Sequence, residues 1–222
     1  MPQVSASLLA ADPARLGDEV HRAAQAGADS FHFDMMDGHY VPNLAFAPDA
    51  LAALRPLTSL PFMVHLELDN PDQVLDSFYP FPADVIIACL DTLPEPHCTL
   101  ERIRKRRAQV GVSINPDEPV TKVLSLLPEL DLLMILGVFP GFGGQPIAAD
   151  TPQKVAEAAR YRKQLGLPLR IAVDGGVNAN TAPILVEAGA DMLVVGTALF
   201  MAADMHAMVN QLKAGAEYQR PR

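Results

Sequence analysis

The stretch SFHFDMM, residues 30 to 36, carries two kinds of chemistry in alternation. In an extended chain alternate side chains share a face, so Phe31, Phe33 and Met35 point one way while His32 and Asp34 point the other. A half-exposed edge strand with a solvated polar face has the same pattern, so the rest of the chain must decide. Apolar runs of strand length recur at 3–9, 60–68, 84–90, 109–115, 131–138, 169–176 and 191–197, making eight in all. Helix-like segments lie between them, among them 13–26, 98–108 and 152–165, the last with Asp150 as its expected cap and Pro152 in its first turn.

The tetrapeptide AGAD occurs at 26–29 and again at 188–191, each time between a helical segment and a strand, and PAD at 82–84 precedes the fourth strand. Gly27 and Gly189 suit the left-handed position that ends a helix. This weak repetition of a β/α unit fits a parallel sheet buried on both faces. Eight such units predict an α/β protein, a (β/α)8 TIM barrel forming one domain over residues 1–222, with a doubly wound open sheet as the alternative.

Composition narrows the function. Half of the 222 residues are hydrophobic, ample for a core, and no apolar run approaches the roughly 20 residues that span a bilayer. The start MPQVSASLLAADPARLGDE lacks the basic and apolar regions of a secretory signal. Two cysteines, 89 and 98, in a chain of this size suit free thiols, and a cytoplasmic location follows as the expectation. A net charge of −9 argues against a nucleic-acid partner, and the one basic run, ERIRKRRAQ at 101–109, reads as the solvated end of a helix.

In a barrel, functional groups gather at the C-terminal ends of the strands. His32 and Asp34 fall late in the second strand, His65 late in the third, and Asp174 at the end of the seventh. Each alone is equally a buried, hydrogen-bonded polar group, but their convergence favours a site. Two imidazoles and two carboxylates make a ligand set for one divalent metal such as zinc, manganese or iron. The glycine-rich loops FPGFGGQP (139–146) and DGGVN (174–178), with VGTALF (195–200), follow strands six, seven and eight, and barrels commonly hold phosphate with the loops after the last two. A metal beside two carboxylates, with phosphate across the mouth, suits proton abstraction next to a carbonyl. One carboxylate takes the proton, the metal stabilises the enediolate, and the other carboxylate returns a proton with inversion, an epimerisation.

The chain resembles the ribulose-phosphate 3-epimerase family over almost its whole length. The resemblance is carried by SLLAAD (7–12), HFDMMDGHYVPN (32–43), VHLELDNP (64–71), PGFGGQ (140–145), VDGGVN (173–178) and VGTALF (195–200). It implies a (β/α)8 barrel that interconverts D-ribulose 5-phosphate and D-xylulose 5-phosphate with one divalent metal, in a homo-oligomer. By motif match, His32, Asp34, His65 and Asp174 are similar to the family's metal ligands, and Asp34 and Asp174 to its acid/base pair. Ser7 resembles a substrate contact, and Met36 an apolar residue beside the reacting carbons. Gly141, Phe142, Gly143, Gly144, Gly175, Gly176, Gly196 and Thr197 resemble the phosphate cradle. Asp37 and His39 are assigned to the loop that shapes the site.

Four positions depart from the family pattern: Glu67 and Leu136 stand for methionines, Cys89 for a histidine, and Phe139 for an asparagine or aspartate. The ligands are kept, so the departures are expected near the sugar. They leave a hexulose phosphate such as D-allulose 6-phosphate, or a non-catalytic phosphosugar-binding barrel, as alternatives. Glu67 lies two residues after His65 and shares its face if the strand continues. A buried carboxyl there is protonated, or meets a substrate hydroxyl or nearby cation, or is turned to solvent by a twist. The expectation adopted is the second, with Glu67 tuning the accepted sugar.

Overall fold

Alternation along β2 (Ser30–Asp37) separates two buried surroundings rather than a core face and a wet face. The computed structural model describes residues 1–75 and 83–214. The other barrel strands are β1 (Gln3–Ser7), β3 (Phe62–Glu67), β4 (Val85–Cys89), β5 (Gln109–Ile114), β6 (Leu132–Leu136), β7 (Arg170–Asp174) and β8 (Met192–Val195). Each pairs in parallel with the next, and β8 returns to β1, closing the sheet into a single-domain barrel. Closure removes the two edges that an open doubly wound sheet would keep. A two-residue strand, Leu44–Ala45, adds antiparallel to the end of β2.

Phe31, Phe33 and Met35 pack outward with Val64, Val112, Ile135 and Val173, in the layer between barrel and helices. A second apolar cluster fills the lumen from Met63, Val85, Ile87, Leu132, Met134, Ala172 and Met192, with Leu136 and Val194 nearer the mouth. The helices are α1 (Leu16–Gln25), α2 (Pro48–Leu54), α3 (Pro71–Leu75), α4 (Pro96–Lys105), α5 (Thr151–Leu165), α6 (Ala182–Ala188), α7 (Thr197–Phe200) and α8 (Met205–Ala214). No helix among the described residues is long and apolar enough to cross a membrane.

The crossover from β5 to β6 has no α-helix. Pro116, Pro119 and Pro128 interrupt it, leaving short 3₁₀ turns at Val120–Val123 and Leu127–Glu129 whose Val120, Val123 and Leu127 are buried against the barrel. Gly27 and Gly189 adopt φ of +96° and +114° after their helices, as the AGAD repeat predicts. Pro82 of the related tripeptide lies outside the described residues. Asp150 precedes α5, but its side chain makes no capping hydrogen bond. Its φ and ψ of −90° and −2° are helical rather than the extended values a capping side chain requires. The basic run ends α4, with Arg102, Arg104 and Lys105 in the last turn, and both cysteines are free.

The repeat has a structural purpose at the closed end of the barrel. Asp29, Asp84, Asp131 and Asp191 precede β2, β4, β6 and β8. The Oδ2 atoms accept the N–H of Val4, Phe62, Val110 and Ile171, at 2.7 Å for Val4 and 2.8 Å for the other three. Each aspartate N–H donates in turn to the carbonyl of the same partner. Every odd strand is thus clasped at its start by the aspartate of the next even strand.

Candidate active site

Inward alternation at the open end brings together residues from four strands. Ser7 is in register with His32, Asp34 with His65, and Met36 with Glu67, while Asp174 arrives from β7. His32 Nε2 lies 3.0 Å from Asp34 Oδ1 and 3.6 Å from Asp174 Oδ2. His65 Nδ1 lies 3.5 Å from Asp34 Oδ1 and 3.4 Å from Glu67 Oε1. Ser7 donates its hydroxyl to Asp34 Oδ2 at 3.0 Å.

One ligand atom from each of His32, Asp34, His65 and Asp174 falls within 4.8 Å of all the others. Both histidines are fully buried, and His65 Nδ1 has no hydrogen-bond partner although its other nitrogen meets Ser113 Oγ at 2.9 Å. A mixed imidazole and carboxylate set with an unsatisfied nitrogen facing two carboxyl groups fits a divalent cation. Ser113 is a contact the sequence reasoning missed. The alternation of QVGVSI, with Gly111 and Ser113 on the lumen face, contained the signal.

Burial disfavours charge throughout this cluster, and the neighbours decide each outcome. For Asp34, the charges of His32 and His65, with the hydrogen bond to His32, overcome burial and hold the carboxyl well below the usual range. For Asp174, burial with the charge of Asp34 prevails over the two histidines and raises it. His32 is raised because Asp34 and Asp174 outweigh the opposing effect of burial. Glu67 stays inside, 3% exposed, so the turn to solvent does not occur. Burial, reinforced by Asp34 and Asp174 and opposed by the Gly141 N–H, pushes its carboxyl up to about 10.

Above the cluster opens a cavity of about 520 Å³. Ser7, Asp34, Met36, Glu67, Asp174, Gly141, Phe142, Gly143, Gly144, Gly175, Gly176, Gly196 and Thr197 all line it. His32 and His65 lie beneath its floor, closed off from solvent. Gly176, at φ +70°, passes so close to Ile147 that an added Cβ would fall 2.6 Å from the Ile147 side chain and 2.7 Å from its backbone. Only glycine permits the loops after β6 and β7 to press together there. Asn43 Nδ2 donates to the Gly141 carbonyl at 2.7 Å, and Gln145 Nε2 donates to those of Phe139 and Phe142. Asp37 accepts from the N–H groups of His39, Tyr40 and Asp69, tying the loop after β2 to that after β3.

A sequence model of the ribulose-phosphate 3 epimerase family matches residues 3–200. The chain belongs to the ribulose-phosphate 3-epimerase family. It is 38% identical to the ribulose-phosphate 3-epimerase of Bacillus subtilis over 96% of this chain and 99% of that one. It is 40% identical to that of Rhodospirillum rubrum over 97% and 94%. The chloroplastic enzyme of Arabidopsis thaliana is 37% identical over 95% of this chain and 76% of that one. Among solved structures, 3-hexulose-6-phosphate synthase from Salmonella typhimurium superposes with a TM-score of 0.69 at 14% identity, covering 98% of this chain and 100% of that one, a likeness of fold alone. With curated epimerases at this identity and coverage, the protein is an isomerase, a ketose-phosphate 3-epimerase.

Within this family frame the four departures separate into two kinds. Glu67, Leu136 and Phe139 line the cavity, as expected of residues near a sugar. Cys89 does not: it is 1% exposed and sits behind His65, with Sγ 3.5 Å from Nε2. This position therefore meets a histidine of the cluster rather than the cavity.

Proposed function

We propose that the protein is a metal-dependent epimerase that interconverts D-ribulose 5-phosphate and D-xylulose 5-phosphate, with Asp34 and Asp174 as its proton-transfer pair. The observation that carries this reading is the placement of two carboxylates from different strands, β2 and β7, within 3.0 and 3.6 Å of His32 Nε2 at the cavity floor. His32, Asp34, His65 and Asp174 would hold the divalent cation, which when bound supplies positive charge to the ketone oxygen and acidifies the neighbouring C–H.

In this scheme the loops bearing Gly141–Gly144, Gly175–Gly176 and Gly196–Thr197 offer backbone N–H groups to the phosphate. Asp34 removes the C3 proton from one epimer, Ser7 steadies its carboxylate, and Asp174 delivers a proton to the other face. Met36 excludes water from the reacting carbons. Glu67, Leu136 and Phe139 on the cavity wall keep D-allulose 6-phosphate as the second candidate substrate. The test is C3 proton exchange in D₂O, followed by NMR with both sugars and with metal content measured. Exchange and epimerisation of ribulose 5-phosphate with the higher kcat/KM supports the reading, and a preference for the hexulose phosphate replaces its substrate.

A further inference from the structure

We propose that Glu67 reads the C1 hydroxyl of the ketose phosphate and thereby selects 1-hydroxylated ketose phosphates over 1-deoxy ones. The inference rests on the epimerase reading above, because it takes the phosphate to be held by the loops after β6, β7 and β8. Glu67 forms part of the cavity wall yet is almost wholly buried, and its Oε2 has no hydrogen-bond partner. Its Oε1 is 3.4 Å from His65 Nδ1, which leaves the carboxyl beside the four-residue cluster but not within it. A buried oxygen without a partner is unfavourable, and its retention in a cavity wall points to a ligand that completes it.

Topology says which end of the ligand that is. Eight strands in a closed ring place β3 across the mouth from β7. Gly175 and Gly176 follow β7, and Gly196 and Thr197 follow β8. A ketose phosphate anchored there, with C2 and C3 over Asp34 and Asp174, extends its unphosphorylated hydroxymethyl end toward β3. Met36, the register neighbour of Glu67, and Leu136 line the same cavity without a strong hydrogen-bonding atom. The Glu67 carboxyl therefore provides the donor or acceptor that a terminal hydroxyl requires.

The test compares D-xylulose 5-phosphate with 1-deoxy-D-xylulose 5-phosphate, which differ by that hydroxyl alone. For the metal-loaded wild type, Glu67→Met and Glu67→Gln, kcat/KM for C3 proton exchange and calorimetric affinity are measured for both sugars, with bound metal quantified. Wild type should prefer the hydroxylated sugar, Glu67→Met should reduce that preference about tenfold or more, and Glu67→Gln, which keeps a donor and an acceptor, should retain most of it. An unchanged preference in Glu67→Met overturns the proposal, as does a lost preference accompanied by lost metal. Failure of the epimerase reading would appear separately, as wild type exchanging neither C3 proton, and the two calorimetric affinities would then still reveal whether Glu67 distinguishes the sugars.

Discussion

His65 Nε2 stands 2.9 Å from Ser113 Oγ, two strands away across the lumen. With a cation at Nδ1, Nε2 carries the ring proton and Ser113 accepts it, so the serine fixes both the tautomer and the ring orientation. Such supporting contacts are commonly worth about 10- to 100-fold in metal affinity. Ser113→Ala should therefore keep the fold while weakening metal binding by that order, measured by competition with a chromophoric chelator. An affinity within about twofold of wild type would remove Ser113 from the site's support.

Asp191 tests the closed end of the barrel. Its Oδ2 accepts from Ile171 N–H and pairs with Arg162, so Asp191→Ala removes an acceptor and leaves the guanidinium only the Leu169 and Gly189 carbonyls. The expected cost is about 1–3 kcal/mol in urea unfolding, with kcat/KM unchanged because the clasp lies at the end of the barrel remote from the cavity. An equal loss of activity at full metal occupancy would contradict this separation of stability from catalysis.

The fold and the four-residue cluster of the candidate site were legible because both rest on period-two patterning. His32, Asp34, His65 and Asp174 stand out as polar groups inside apolar strands, and a parallel barrel leaves such groups only the lumen mouth. The clasp was half visible, since AGAD and PAD mark Asp29, Asp84 and Asp191, but Asp131 follows Leu130 and lacks the motif. Its role depends on the register with Val110, which no local pattern reports. Cys89 was misplaced for a related reason: no local pattern reports that its Sγ meets His65 Nε2 rather than the cavity. The β5–β6 crossover lost its helix to prolines already present in the sequence.

Asp37 carries a pH dependence of its own. Partial burial opposes its charge, but the N–H groups of Asp69, His39 and Tyr40 prevail and hold the carboxyl below its ordinary value. The ionised form thus stabilises the folded loops, an effect complete above the ordinary carboxylate pKa of about 3.9 and lost as pH falls through the depressed value. Asp37→Asn should lower the urea midpoint near neutrality, and the gap from wild type should narrow as pH falls below the ordinary carboxylate range. A gap of constant size across that range would show that the loop does not use the charge.

Asp34 and Asp174 make a sharper test than simple loss of activity. Inversion at C3 needs a proton taken from one face and supplied to the other, so neither carboxylate replaces its partner. Asp174→Asn should still exchange the C3 proton of the epimer that presents it to Asp34, because that half of the reaction is intact. Net epimerisation should nevertheless fall by about 10²- to 10⁴-fold or more. Asp34→Asn should show the mirror result, with exchange confined to the other epimer. Both residues also belong to the four-residue cluster, so metal content must be measured with each rate. Near wild-type epimerisation by either pure variant would remove that residue from the pair. Silence toward both epimers at full metal occupancy would instead show that the two carboxylates do not act on opposite faces.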